Sequence, residues 1–309
     1  MGKDNIMIEE ECPPVEETAR RPIGLFDSGV GGLTVLDAMR RRMPGEDYLF
    51  LGDTARVPYG AKSQKTIIRY TLQAAAKLIG LRIKLLVIAC NTATAAALPV
   101  LRETWPDMPI IGVVEPGSRA ACEASPSGDI AVIATESTIR SGAYAEAILR
   151  RRPDAQVRSL ACPLFVPFAE EGWFDGPIVE GVVARYLDPL FREAPAPDCL
   201  VLGCTHYPML ADAIRKVVGT SVTIVDSAAT TAEVVEKRLA DRALTQPQAD
   251  RAGRAGRIRF FITDDPLRFT RTGSLFLKMS ITDSDVRLVD LENVPLPESA
   301  DTSTQRKNA

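Results

Sequence analysis

The chain of 309 residues is long enough for about two domains, each with its own core. Its composition is that of an ordinary globular protein with a net charge of -3, so no global attraction draws it to nucleic acid or to an anionic membrane surface. Six cysteines (Cys12, Cys90, Cys122, Cys162, Cys199, Cys204) without C-x-x-C spacing and a single histidine, His206, argue against a disulfide framework and exclude a His-rich metal site, which leaves free thiols in a reducing cytoplasm as the expectation.

Met1 to Arg21 is acidic and lacks an apolar h-region, so it reads as an extension and not as a secretory signal or membrane anchor. No stretch approaches the ~18 consecutive apolar residues that a spanning helix needs. From Pro22 onward, short runs rich in Val, Ile and Leu alternate with helical patterns. A strand over Ile23–Asp27 leads to a helix over Thr34–Arg42, and a strand over Tyr48–Gly52 to a helix over Ser63–Leu81. A strand over Ile83–Ala89 ends at Cys90 and leads to a helix over Thr94–Glu103, with a further strand over Ile110–Val114. The pattern then restarts with a strand over Ile130–Ala134, a helix over Ser141–Arg152 and a strand over Val157–Ala161. A strand over Leu200–Gly203 ends at Cys204, followed by a helix over Tyr207–Val218 and strands over Val222–Val225 and Arg259–Ile262. Near-continuous apolar strands alternating with helices predict an α/β fold of mainly parallel, doubly wound sheets covered on both faces.

The chain also reads as doubled. Ile23 to Ser28 leads after several strands to Cys90, and Ile130 to Thr135 leads likewise to Cys204. Glu115-Pro116-Gly117 and Asp226-Ser227 mark crossing points between the halves, the first because Pro and Gly break the pattern. After about Leu291, Pro, Ser, Thr and Asp predominate, a composition that predicts a disordered tail over 291–309.

Asp27-Ser28-Gly29-Val30-Gly31-Gly32-Leu33-Thr34 follows a strand and opens a helix, like a phosphate-binding turn. It lacks the third glycine of G-x-G-x-x-G and any G-K-[ST] ending, so nucleotide binding is disfavoured. What remains is a tight turn whose N–H groups would suit a carboxylate as well as a phosphate, at the carboxyl end of a strand where open α/β sheets place ligands. Asp53-Thr54-Ala55-Arg56-Val57-Pro58-Tyr59-Gly60 is a polar loop whose N–H groups beside Tyr59 could hold a second carboxylate, although such a loop is more often only a turn. Buried free cysteines are ordinarily small hydrophobes, and that reading suits Cys122, Cys162 and Cys199. Cys90 and Cys204 differ, because each stands at a strand end before hydrogen-bonding residues that begin a helix, where thiolate is favoured. His206 lies two residues beyond Cys204, close enough to assist it. Glu170 is a loop carboxylate with no locally legible role.

Taken in order, these segments and Gly112-Val113-Val114-Glu115-Pro116-Gly117 make the chain resemble the glutamate racemases, within the aspartate/glutamate racemase superfamily, from about Pro22 to Leu277. The carrying motifs are Phe26 to Thr34, Gly52 to Gly60, Ala89-Cys90-Asn91-Thr92-Ala93-Thr94, Gly112 to Gly117, and Leu202-Gly203-Cys204-Thr205-His206-Tyr207-Pro208. The resemblance implies a cofactor-independent, two-base racemisation of L- and D-glutamate that supplies D-glutamate for peptidoglycan. The thiol matching Cys90 would take the α-proton from D-glutamate and that matching Cys204 from L-glutamate, the opposite thiol returning a proton to the other face. Asp27 corresponds to a carboxylate beside the first thiol; Glu170 and His206 correspond to assistants of the second. Substrate contacts fall on Asp27, Ser28, Tyr59, Gly60, Asn91, Thr92, Thr205 and His206, while Asp53 matches a further carboxylate.

The family arrangement implies a first α/β domain over 22–116 with 227–285 and a second over 117–226, with the site in the cleft between them. No metal or membrane is implied, nucleic acid is disfavoured, and a homodimer is compatible. Some relatives bind a cell-wall precursor as activator through an N-terminal extension, but Met1 to Arg21 carries no motif for it. Three other readings stand beside this one. A racemase of the superfamily acting on aspartate or a hydantoin is the nearest. A thiol hydrolase using Cys204 and His206 would leave Cys90 without a role. A gyrase-binding function, reported for some relatives, has only the basic stretch Arg251–Arg259 to support it, and such a stretch is ordinarily a solvated loop.

Overall fold

The computed structural model describes residues 14–192, 195–247 and 255–297. Cys12, most of the acidic extension, the first part of the basic stretch and the end of the tail lie outside them. Ten strands form two sheets in which every pairing is parallel. The larger contains β1 (Ile23–Asp27), β2 (Tyr48–Gly52), β3 (Leu85–Ile88), β4 (Ile110–Gly112), β9 (Ile258–Ile262) and β10 (Val286–Leu288) in the order β10-β9-β2-β1-β3-β4. The smaller contains β5 (Asp129–Ala134), β6 (Gln156–Ala161), β7 (Cys199–Gly203) and β8 (Thr223–Asp226) in the order β6-β5-β7-β8. β2-β1-β3-β4 and β6-β5-β7-β8 follow the same order, so the doubling seen as a sequence pattern is a repeat of topology.

Strands β1 to β5 and β7 are buried at every residue, because helices cover both faces of each sheet. On the larger sheet, Leu25, Phe50 and Val87 face one core cluster while Phe26, Leu51 and Ile88 face the other. The smaller sheet divides likewise, with Ile133 and Leu202 on one face and Val132 and Val201 on the other. After β8 the chain enters the helix Ser227–Asp241, capped by the Asp226 side chain, and returns to the larger sheet as β9 and β10.

Several elements depart from the sequence-based expectation. β4 stops at Gly112 and the helix Val114–Ala124 begins at once, so Glu115-Pro116-Gly117 is helical and not a break. Pro116 falls in the first turn, where an N–H has no intrahelical partner to lose. The stretch Ser141–Arg152 is divided by left-handed Gly142 into helices Glu136–Ser141 and Ala143–Arg151. Tyr207–Leu210 is a 3-10 turn before the helix Ala211–Val218. Glu170 ends a short helix, Phe165–Glu170, and does not sit in a loop. The helices Pro177–Phe191 and Pro266–Leu277 and the strand β10 were not anticipated. Leu291 is buried against the cluster containing Ile67 and Leu72, and Val294 packs partly against it, so these two positions are packed where composition predicted disorder, whereas Glu292, Asn293, Pro295 and Leu296 are exposed. Among the described residues no helix is long and apolar enough to cross a membrane.

Candidate active site

In a parallel sheet whose strands wind outward in both directions, ligands sit where the order reverses, beyond the carboxyl ends of the strands. That point lies between β1 and β3 in one sheet and between β5 and β7 in the other. Both open onto one cavity of about 440 Å³. Its wall includes Ser28, Tyr59, Gly60, Cys90, Asn91 and Thr92 from the larger-sheet side and Glu170, Cys204, Thr205 and His206 from the other. All the sequence-predicted site residues except Asp27 therefore reach one lining. A larger cavity of about 920 Å³ runs from Arg42–Glu46 to residues 233–241 at the amino end of β2, and neither Cys90 nor Cys204 lines it.

Cys90 is the N-cap of the helix Asn91–Thr104, with its sulfur accepting from the Ala93 N–H at 3.4 Å. The thiol donates to Ser28 Oγ at 3.5 Å. The helix start by itself favours thiolate, but burial and the neighbouring Asp27 carboxyl outweigh it and push the Cys90 thiol up to about 12. At neutral pH Cys90 is a proton donor. Asp27 lies wholly buried beneath the glycine turn, its Oδ2 accepting from the Gly29 N–H at 2.9 Å and its Oδ1 without a partner. Burial raises its pKa against the opposing pull of His206.

Cys204 has different support. Its sulfur stands 3.7 Å from His206 Nδ1, and His206 Nε2 stands 3.2 Å from Glu170 Oε1. Glu170 Oε2 in turn accepts from Arg268 Nη2 at 3.0 Å, across from the helix Pro266–Leu277. Burial alone would lower the His206 pKa, but hydrogen bonds to Cys204 and Glu170 reverse the sign and raise it. Burial works against the Glu170 carboxylate too, yet His206 and Arg268 hold it below the usual range. The arrangement is a chain of sulfur, imidazolium, carboxylate and guanidinium, whereas Cys90 faces the buried Asp27 carboxyl on the other wall.

The glycine turn is shaped by close approach. None of Gly29, Gly31 and Gly32 has a positive φ. A Cβ on Gly31 would strike Thr205 and the His206 ring, and one on Gly32 would lie 2.5 Å from Asp27 Cβ. Gly31 lets the two halves approach, Gly32 makes room for Asp27 within its own half, and the Gly29 N–H is spent on Asp27. Asp53 does not line the cavity. It is buried, paired with Arg56 at 2.7 Å, and accepts from the Tyr59 hydroxyl and from Thr263 Oγ1 at 3.1 Å. It therefore fixes the loop that brings Tyr59 and Gly60 to the wall, where they open a 3-10 turn whose first N–H groups have no carbonyl one turn earlier.

Sequence reasoning missed four side chains at or behind the wall. Thr135 lines the cavity and shares a triangle of hydroxyl contacts with Thr92 and Thr138, each 2.9–3.1 Å long. The doubled pattern held its signal, because Thr135 follows β5 as Ser28 follows β1. Arg268 and Tyr144 belong to no motif and reach the site only through tertiary packing. Cys162 and Cys199, read as core residues, are buried, and burial holds each thiol up at about 12. Cys122 is half-buried.

The sequence matches the model of the Asp/Glu/Hydantoin racemase family over residues 28–235. It is 48% identical over 272 residues to a glutamate racemase of Geobacter metallireducens, covering 88% of this chain and 97% of that one. Among solved structures it is similar to glutamate racemase of Francisella tularensis in complex with D-glutamate, with a TM-score of 0.81, 35% identity and coverage of 89% and 99%. It is also similar to Escherichia coli glutamate racemase in complex with L-glutamate and the activator UDP-MurNAc-ala, with a TM-score of 0.67, 30% identity and coverage of 84% and 94%.

Proposed function

The chain belongs to the Asp/Glu/Hydantoin racemase family and is an amino-acid racemase, an isomerase; we propose that it interconverts L- and D-glutamate without a cofactor, using Cys90 and Cys204 as its two acid/base groups. The observation that carries this reading is that two thiols, each just beyond the third strand of a like-ordered sheet, line one cavity in unlike electrostatic settings. Inverting a tetrahedral carbon needs a base on one face and an acid on the other, each within hydrogen-bond reach. With L-glutamate, Cys204, backed by the His206 imidazolium, takes the α-proton while the Cys90 thiol delivers one to the opposite face. With D-glutamate the roles exchange.

Removing the α-proton develops negative charge on the substrate carboxylate. Fixed donors aimed at that charge lower the barrier, each typically by about 2.7–4 kcal/mol. Asn91, Thr92, Thr205 and the N–H groups of Tyr59 and Gly60 supply donors of this kind. The domains 22–116 with 227–285 and 117–226 would close over the ligand and exclude water. The same proposal gives D-glutamate a destination in peptidoglycan synthesis in a bacterial cytoplasm. Two finer elements, a homodimer and activation by a cell-wall precursor, are tested by sedimentation and by titrating the precursor into the assay.

The test is circular dichroism of L-glutamate, and separately of D-glutamate, with purified protein in D2O and no added pyridoxal phosphate. Loss of signal from both enantiomers, with deuterium at the product α-carbon, is the expected result. No change with glutamate, but loss of signal with aspartate, would overturn the substrate assignment and leave the two-thiol chemistry standing.

A further inference from the structure

Tyr144 lies on the helix Ala143–Arg151, outside every sequence motif and outside the cavity lining. It is buried, and its hydroxyl donates to Asn91 Oδ1 at 2.7 Å, reaching from the second half of the chain to the residue beside Cys90. Two glycines make room for it. A Cβ on Gly203, next to Cys204, would lie 3.0 Å from the Tyr144 ring, and one on Gly117 would lie 3.3 Å from its hydroxyl and 3.6 Å from Ser227 Cβ. Ser227, at the crossing from the second half back to the first, lines the same space beside Gly117.

Asn91 is the receiving end of this relay. Its amide oxygen is taken by Tyr144, whereas its Nδ2 is buried and has no partner, and Asn91 itself lines the cavity. A buried amide N–H2 without an acceptor is costly, by about 1–3 kcal/mol, unless something supplies one. The phenol spends its proton on the Asn91 amide oxygen. The amide is then fixed with oxygen inward and N–H2 free.

We propose that Tyr144 is a positioning residue for the racemisation, holding the Asn91 amide so that its Nδ2 donates to the carboxylate of bound glutamate. The inference rests on the glutamate reading above. Burial raises the Tyr144 phenol further above its ordinary value, so it stays a donor throughout the working range. Because Tyr144 stands in the second half of the chain and Asn91 in the first, the donor is set only when both halves are in place.

The test is a double-mutant cycle with Tyr144→Phe and Asn91→Ala, reading kcat and KM for each enantiomer. Tyr144→Phe keeps the ring that packs on Gly203 and removes only the hydroxyl. In the wild-type background it should lower kcat/KM roughly tenfold, the scale of one mispositioned hydrogen bond, with the loss mainly in kcat because the donor meets charge that develops in the transition state. In the Asn91→Ala background the same change should cost less than about twofold. If Asn91→Ala turns over too slowly to follow, the cycle is read as exchange of the α-proton of D-glutamate with D2O at high enzyme concentration, which reports the same proton-removal step. Equal losses from Tyr144→Phe in both backgrounds, or no loss in the wild-type background, would overturn the positioning role while leaving the glutamate reading intact. A wild-type protein that turned over neither enantiomer would overturn both.

Discussion

Replacing Glu170 by Gln tests the electrostatics of the Cys204 side with almost no change in shape. His206 Nε2 stands 3.2 Å from Glu170 Oε1, and Gln can still accept there, so what is lost is the charge. A full unit charge at about 4 Å in an effective dielectric near 20 would amount to about 4 kcal/mol. The Glu170 side chain is 21% exposed and also shared with Arg268, so the realistic loss is nearer the gap between charged and neutral hydrogen bonds, about 1.4 kcal/mol. That corresponds to roughly a tenfold fall in kcat/KM at neutral pH and a fall of about one unit in the His206 pKa. The sign follows from the imidazolium being the working form. Its pKa is raised by Cys204 and Glu170 against burial, so removing Glu170 brings it down and moves the alkaline limb of kcat/KM to lower pH. Stability follows the same sign. The part that His206 contributes is present below its unfolded value near 6.5 and is lost as pH rises through the raised one, so Glu170→Gln should lose it earlier on the alkaline side. The assay is circular dichroism of each enantiomer across pH, paired with thermal melts. Since L- and D-glutamate have equal free energy in an achiral solvent, kcat/KM must fall by the same factor in both directions, although kcat and KM separately need not. An unmoved alkaline limb would refute the reasoning, whatever happened to the rate.

Cys90→Ala and Cys204→Ala should each abolish racemisation, whereas Cys122→Ala should stay near wild type; full turnover in either of the first two would remove the two-base assignment. Cys162→Ala should retain activity and lose about 1–2 kcal/mol of stability in denaturant melts, as expected for a small deletion from a packed core. Arg268→Gln should lower kcat/KM only a few-fold, and the difference from wild type should vanish in high salt, because the Arg268 side chain is 55% exposed and its ion pair is screened. An effect of that substitution indifferent to salt would mean Arg268 acts by packing. Gly31→Ala should cost about 1–3 kcal/mol of stability by overpacking and should cut turnover severely, since the added methyl meets Thr205 and His206. An active, stable Gly31→Ala protein would show that the two halves can separate there at no cost to the reaction.

The α/β class was legible because strands such as Ile23–Asp27 and Leu85–Ile88 are buried on both faces, and a strand covered on both sides is apolar nearly throughout, Asp27 at the carboxyl end of the first being the exception. Both thiols were legible for a related reason. A reactive side chain at the end of such a run sits where parallel sheets expose their carboxyl edges, and the repeat of that pattern marked Cys90 and Cys204 together. Helices whose signals conflict were missed: Pro177–Phe191 holds Gly181 and Pro189, and Pro266–Leu277 holds Gly273. Local propensity argues against such residues, and packing against the rest of the molecule overrides it. The sequence alone marked the succession of strands and helices and singled out Cys90 and Cys204 at two strand ends. Only the tertiary structure decided which groups surround each thiol, the close approach at the glycine turn and the reach of Arg268 and Tyr144. Burial, charge and contact between residues more than fifty positions apart are properties of the folded arrangement, and no local pattern encodes them.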